Sequence, residues 1–271
     1  MGDKQLDFYA GLQSLLRYHE EIGLGPVSLN DDINDFLSLR PQVPVAVSLD
    51  KDLGGAKTVI PKEIATEPLE QIGAEKLTYT LADIEQEVVS CTACDLHARR
   101  IYPVPGRGKK PVRLMIVGDW LAMPGAGEAV PHQLFGFEQD KMLFRMLTAM
   151  KLSDDDVFIT NVIKCGLSDK KQPLAVHVKT CVSYLRRQIL VLRPEYICTM
   201  GMVAARAVLE RSLPLSRLRG KFHDYSLGNN ETIPVLTTYH PSYLLQNPEM
   251  KQATWADLQF LAQKMGLLPG K

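Results

Sequence analysis

Residues 157–165 read Val-Phe-Ile-Thr-Asn-Val-Ile-Lys-Cys, and this stretch decides the fold. Its first part, Val157–Asn161, is almost continuously apolar or β-branched, as a strand covered on both faces should be. Three other runs share that character: Leu114–Gly118, Tyr196–Met200 and Ile233–Thr238. Segments with a helical period lie between them. Residues 139–151 place Met142, Leu143, Met146, Leu147 and Met150 on one face, and residues 174–192 do so with Val178, Val182, Leu185, Ile189 and Leu192. Residues 81–100, 202–210 and 250–265 also read as helices. Strands alternating with helices predict an α/β protein, a three-layer α/β/α sandwich around a central four-stranded, mainly parallel sheet.

This architecture predicts where a site lies. Open parallel sheets bind ligands beyond the carboxyl ends of their strands. The residues just past the four strands are Asp119, Asn161 with Lys164 and Cys165, Gly201, and Tyr239-His240. An acid, an amide, a thiol and an imidazole on one rim have the polar variety of an active site.

Cys165, at the end of the opening stretch, belongs to a second pattern. Cys91 and Cys94 form a C-x2-C pair, and fifteen residues separate Cys165 from Cys181. Zinc ribbons supply two tight pairs, whereas here the second pair is open, so its ligands come from separate elements. Four thiolates gathered in this way suit a [4Fe–4S] cluster, with zinc as the alternative. Cys198 sits inside an apolar strand and reads as a buried, unligated thiol. Cations surround the four cysteines, and no acidic residue occurs between Asp169 and Glu195. A cluster could thus hold a basic surface against a phosphate backbone.

Composition bounds these readings. The chain has 271 residues, 45% of them hydrophobic, and its 31 Lys plus Arg balance 31 Asp plus Glu. The balance hides a split, because residues 1–80 hold 13 acidic and 7 basic side chains, leaving 18 acidic and 24 basic beyond. A basic body joined to an acidic arm points to an anionic partner. The arm reads as a helix over residues 5–22 and a breaker-rich connector to about residue 80; the body is residues 81–271. No apolar run reaches the roughly 18–20 residues of a membrane span, and the polar N-terminus has no secretory pattern. A cytoplasmic protein without membrane contact is expected, and five Cys are too few for a disulfide-stapled secreted domain. There is no G-x-S-x-G nucleophile elbow, and the glycines of 105–108 and 125–127 match neither a P-loop nor a dinucleotide fingerprint.

Several motifs then arrive in a recognisable order. They are Cys91-Thr92-Ala93-Cys94, Val104-Pro105-Gly106-Arg107-Gly108, Ile116-Val117-Gly118-Asp119, Thr160-Asn161-Val162-Ile163-Lys164-Cys165, Cys181, Arg219-Gly220 and Thr238-Tyr239-His240-Pro241-Ser242-Tyr243-Leu244-Leu245. From about residue 88 to 265 the chain resembles the family 4 uracil-DNA glycosylases, the iron–sulfur branch of their superfamily. The resemblance implies removal of uracil from DNA that is single-stranded or carries G·U mismatches, by a monomer that flips the base from the stack. It implies that His240 donates to uracil O2 as negative charge develops there, and that Asn161 reads N3–H and O4 with its amide. It places Gly118, Gly125 and Phe135 around the base and Asp119 in the loop that positions water. Leu244 or Leu245 becomes the wedge that fills the vacated stack, and Arg107 and Lys109 contact the DNA. The four cysteines hold the cluster. No Lys has a clear claim to attack the sugar, so a monofunctional enzyme is expected.

The first loop departs from that family's pattern. Asp119 replaces the usual Glu, three residues are inserted before Pro124-Gly125, and the stacking aromatic is off register, with Phe135 nearest and Phe137 a candidate. Gln246 stands where an Arg often follows the Leu pair. Trp120 or Met123 could crowd the base site. These changes keep open a second reading, a non-catalytic or altered-specificity nucleic-acid-binding homologue.

Overall fold

The four apolar runs become four parallel strands, joined by a fifth that the sequence reading missed. The computed structural model describes residues 79–122, 133–167, 172–228 and 230–269. In chain order its helices and strands are α1 (Leu81–Ser90), β1 (Arg100–Pro103), β2 (Leu114–Gly118), α2 (Phe137–Ala149), β3 (Val157–Asn161), β4 (Cys165–Leu167), α3 (Ala175–Leu192), β5 (Tyr196–Met200), α4 (Met202–Leu209), α5 (Leu215–Leu218), β6 (Phe222–Gly228), β7 (Glu231–Thr238), α6 (Pro241–Gln246) and α7 (Met250–Lys264). The expected helix over residues 5–22, the connector that follows it, and Gly125 lie outside the described residues.

The main sheet has the order β3-β2-β5-β7-β6. The first four strands are parallel, and β6 pairs antiparallel with β7 at the edge. The expected four-stranded sheet is therefore five-stranded. β6 escaped notice because it alternates, with His223 and Tyr225 buried while Asp224 and Ser226 are exposed. A search for continuously apolar runs finds only strands covered on both faces. β1 and β4 form a separate antiparallel pair. The helix expected over residues 81–100 stops at Ser90, and Arg100–Pro103 is strand.

Alternation within each strand builds two cores. Leu114 and Ile116 face one layer with Cys198, Met200 and Leu236, against Leu143 and Leu147 of α2 and Leu258 and Leu261 of α7. Met115 and Val117 face the other with Ile197 and Val235, against Leu185 and Ile189 of α3 and Val208 of α4. The three layers follow from side chains pointing alternately up and down the pleat. Cys198 is fully buried in the first core, as its sequence context implies.

Register aligns the strand tips. Gly118 pairs with Asn161 across β2 and β3, and Met200 with Thr238 across β5 and β7. The chain passes from β2 to β3 on one side and then returns to place β5 on the other. This reversal of strand order puts the topological switch point at the β2 tip, where ligands of such sheets bind.

Candidate active site

His240 follows β7 directly and caps α6, with Pro241 as the first helical residue. That is a favoured place for Pro, whose missing N–H would have no partner there. The ring is held from one side: the Ser242 N–H donates to Nδ1 at 3.2 Å, and Ser242 Oγ lies 2.7 Å from the same atom. Nδ1 is thereby an acceptor, so the proton of the neutral ring sits on Nε2. Nε2 is buried and has no partner among the described residues. Burial pushes the His240 pKa down to about 4, which keeps the ring neutral at physiological pH.

Asn161, at the tip of β3, has no exposed surface. Its Nδ2 donates to the Leu134 carbonyl at 2.5 Å, while Oδ1 is buried without a partner among the described residues. Phe135 links the two residues. Its ring centroid lies 4.7 Å from that of His240. A Cβ on Gly118 would collide with both the Phe135 ring and Asn161 Oδ1, so only glycine lets these groups close over the β2 tip. An unsatisfied donor and an unsatisfied acceptor, both out of water and both against one aromatic ring, are costly to leave unpaired. Each such atom costs about 1–3 kcal/mol, and a ligand that pairs both would recover it.

Asp119 does other work. Its Oδ1 accepts the Ala204 N–H at 2.6 Å, and the Val203 amide also donates to the carboxyl, so it anchors the amino end of α4. Burial pushes its pKa up to about 7, against the pull of those two amides. Lys164 leaves the rim altogether. It is buried, and its Nζ donates to Thr160 Oγ1 at 2.6 Å and Gln188 Oε1 at 2.7 Å. Gln188 in turn donates to the Pro105 carbonyl at 2.6 Å, so this network ties β3 to α3 and to the 104–108 loop. Desolvation brings the Lys164 pKa down to about 7.

The uracil DNA glycosylase superfamily matches residues 105–259, more than half of the chain and all four parallel strand tips. The chain belongs to that superfamily. It is 32% identical over 196 residues to the type-4 uracil-DNA glycosylase of Archaeoglobus fulgidus, covering 71% of this chain and 94% of that protein. It is 30% identical over 179 residues to the type-4 enzyme of Thermotoga maritima, covering 65% and 90%. A type-5 uracil-DNA glycosylase of Pyrobaculum aerophilum is 32% identical over 158 residues, covering 54% of this chain and 68% of that protein.

Within this superfamily member the expected DNA contacts divide. Leu244 has no exposed surface, so it packs in the interior and is unable to act as a wedge. Leu245, one residue on and therefore about 100° around the helix, is 38% exposed. Arg107 pairs with Asp154 at 3.2 Å and lies over the Phe144 ring. Lys109 pairs with Asp155 at 3.4 Å. Asp154 and Asp155 lie just before β3, at the end of the sheet opposite the rim. Both cations are thus paired with exposed carboxylates, and Lys109 itself stays exposed. Among the described residues no helix is long and apolar enough to cross a membrane.

The four cysteines come from four elements. Cys91 follows the last turn of α1, Cys94 caps a short 3-10 turn (Asp95–Ala98), Cys165 opens β4 and Cys181 lies on α3. All four are free thiols. Cys165 and Cys181 share one apolar cluster with Leu96 and Ile163, against which Cys94 and Trp120 pack. Trp120 thus lies by the cysteines instead of crowding the base. Burial pushes the Cys165 pKa up to about 11. Among the described residues no group of three or more His, Cys, Asp or Glu side chains is placed to hold a single metal ion.

Arg100 braces this lobe by donating to the Val88 and Val89 carbonyls at 3.2 and 2.6 Å. His177 does so as well, a role the sequence reading did not assign. Its Nε2 meets Asp95 Oδ1 at 2.7 Å, and its Nδ1 accepts the Leu174 N–H at 3.0 Å. The Leu134 carbonyl and Ser242 were missed too. A backbone acceptor leaves no trace in sequence, but a Ser two residues after a capping His is a legible signal.

Proposed function

We propose that this protein hydrolyses the N-glycosidic bond of uracil in DNA. One observation carries the reading: His240 Nε2–H and Asn161 Oδ1 are a buried donor and a buried acceptor with no partners among the described residues. Uracil presents the complement, with O2 to accept and N3–H to donate. Asn161 Nδ2 keeps a second hydrogen for O4. Cytosine offers an unprotonated N3 and an amino group at these positions, and it would leave the buried groups facing like against like. The relatives named above supply independent support.

The residues then divide the chemistry. Bond cleavage leaves negative charge on the departing uracil, and His240 donates to O2 as that charge grows. A neutral imidazole is already preorganised for this, and one such donor is typically worth roughly 2.7–4 kcal/mol of barrier. Phe135 offers a face to the base and shifts to admit it, because the two polar atoms are shielded from solvent before it arrives. Leu245 fills the space left in the stack. Lys164 is held by Thr160 and Gln188 away from the rim, which supports simple hydrolysis without attack on the sugar. The preferred DNA is single-stranded or carries a G·U mismatch, where extrusion of the base costs least.

The four cysteines fit a [4Fe–4S] cluster by their chemistry: four thiols, each from a different element, with Cys94 packed against the apolar cluster that holds Cys165 and Cys181. Bound there, the cluster would take one thiolate on each iron and tie the 91–100 segment to β4 and α3. Its role in this reading is structural.

The test is a base-release assay on single-stranded, G·U-paired and A·U-paired oligonucleotides, with iron and sulfide measured on the same preparation. Release of uracil, fastest from the first two, supports the reading. Salt-dependent DNA binding with no release of uracil overturns it. About four irons per chain supports the cluster, and stoichiometric zinc overturns that part alone.

A further inference from the structure

The turn that enters α2 buries one aromatic residue and exposes another two positions on. Phe135 is buried against His240, while Phe137, two residues on, is 65% exposed. Gly136 between them has φ 121°, a backbone that residues with a side chain rarely adopt, and this reverses the chain locally. The turn is rigidly built. Asp140 in the first turn of α2 accepts the N–H groups of Leu134 and Phe135, each at 2.9 Å. The Phe137 backbone is therefore placed within about 7 Å of Phe135 along the chain. α2 also packs against α6, the helix that carries exposed Leu245. Asp140 is taken up by the two amides it accepts, and exposed Lys141 stands one helical turn on from Phe137, so the ring has exposed charge of both signs, Glu138 and Lys141, beside it on α2.

We propose that Phe137 is a second base-contacting residue of this site, stacking on an unpaired nucleobase beside the extruded nucleotide while Leu245 fills the gap. The proposal rests on the glycosylase reading and adds a determinant of strand preference. A base in a single strand or next to a mismatch can leave its neighbours and stack on the ring, whereas one in a sound duplex cannot without unpairing.

Two variants test it, Phe137→Ala and Phe137→Trp, in the full chain, with folding checked by circular dichroism. The probes are single-stranded and fully paired oligonucleotides containing 2-aminopurine next to the uracil position, and binding is read by anisotropy and by 2-aminopurine emission. The Ala variant is expected to bind the single strand about 5-fold or more weaker, as loss of one stacked base implies. It is expected to lose the emission change, while the Trp variant keeps both. Binding by the Ala variant within twofold of the parent overturns the proposal. So does a dimer in sedimentation that the Ala variant abolishes, which would assign the ring to self-association. Because binding is read without catalysis, a parent protein that releases no uracil refutes the glycosylase reading and leaves this test decisive.

Discussion

Two buried histidines mark two regions of the molecule that obey different rules. Around His177, in the cysteine lobe, both ring nitrogens are paired, one to Asp95 and one to the Leu174 amide. Around His240, at the strand tips, one nitrogen is paired to Ser242 and the other faces nothing. Both rings are almost fully buried. Burial and residue type therefore do not separate them; hydrogen-bond satisfaction does. A folded protein rarely leaves a buried polar atom unpaired unless something else pairs it. His177 is finished in its own bonds, whereas His240 leaves one ring nitrogen for a ligand.

The contrast can be broken by exchanging the damage. His240→Ala is expected to slow single-turnover uracil release by about 10²–10³-fold, the usual cost of one preorganised donor. A loss under tenfold would mean that the orphaned nitrogen is not the catalytic group. His177→Ala is expected to do the reverse. It leaves the Leu174 amide without its acceptor and should cost about 1–3 kcal/mol of stability in urea unfolding, with the release rate of the folded protein little altered. Equal effects on rate from both variants would erase the distinction.

Acid sharpens the same comparison. The His240 pKa is depressed to about 4 in the folded protein, below the ordinary value near 6.5. The neutral donor therefore survives acidification, and the acid limb of uracil release assigned to His240 should lie near pH 4, not near 6.5. Depression also means that the unfolded chain takes up the proton first, so this residue's share of stability falls as pH drops from about 6.5 towards 4. A pH–rate profile under single-turnover conditions reads the first effect directly.

Asp119 gives a pH effect of the opposite sign. Its folded pKa is raised to about 7 from 3.8, so the folded state holds a proton that the unfolded chain has already lost. Its contribution to stability should therefore decline as pH rises from about 4 through 7. Asp119→Asn retains an acceptor for the α4 amides and removes the titration. The variant should gain on the parent in urea midpoint between pH 5 and pH 8. An unchanged difference across that range would show that Asp119 does not titrate there.

How much of this was legible in the chain varied by element. The four parallel strands were plain because strands covered on both faces need unbroken apolar runs. β6 was hidden by its alternation at the sheet edge. Asn161 and His240 were visible because strand tips collect ligands in this architecture, although their closeness to one ring was not. Arg107 and Lys109 looked free in sequence. Their partners, Asp154 and Asp155, stand more than forty residues away, and only folding brings those charges together. Leu244 and Leu245 are adjacent apolar residues, and the packing of α6 decides which one faces water.

Sequence alone thus determined the layered α/β class, the four-cysteine pattern and the identity of the two polar residues at the rim. These depend on local periodicity and spacing, which a linear chain records. The tertiary structure decided which atoms are left unpaired, which cations are neutralised and which aromatic ring stays outside. Those properties depend on distances between residues far apart in the chain, and only packing sets such distances.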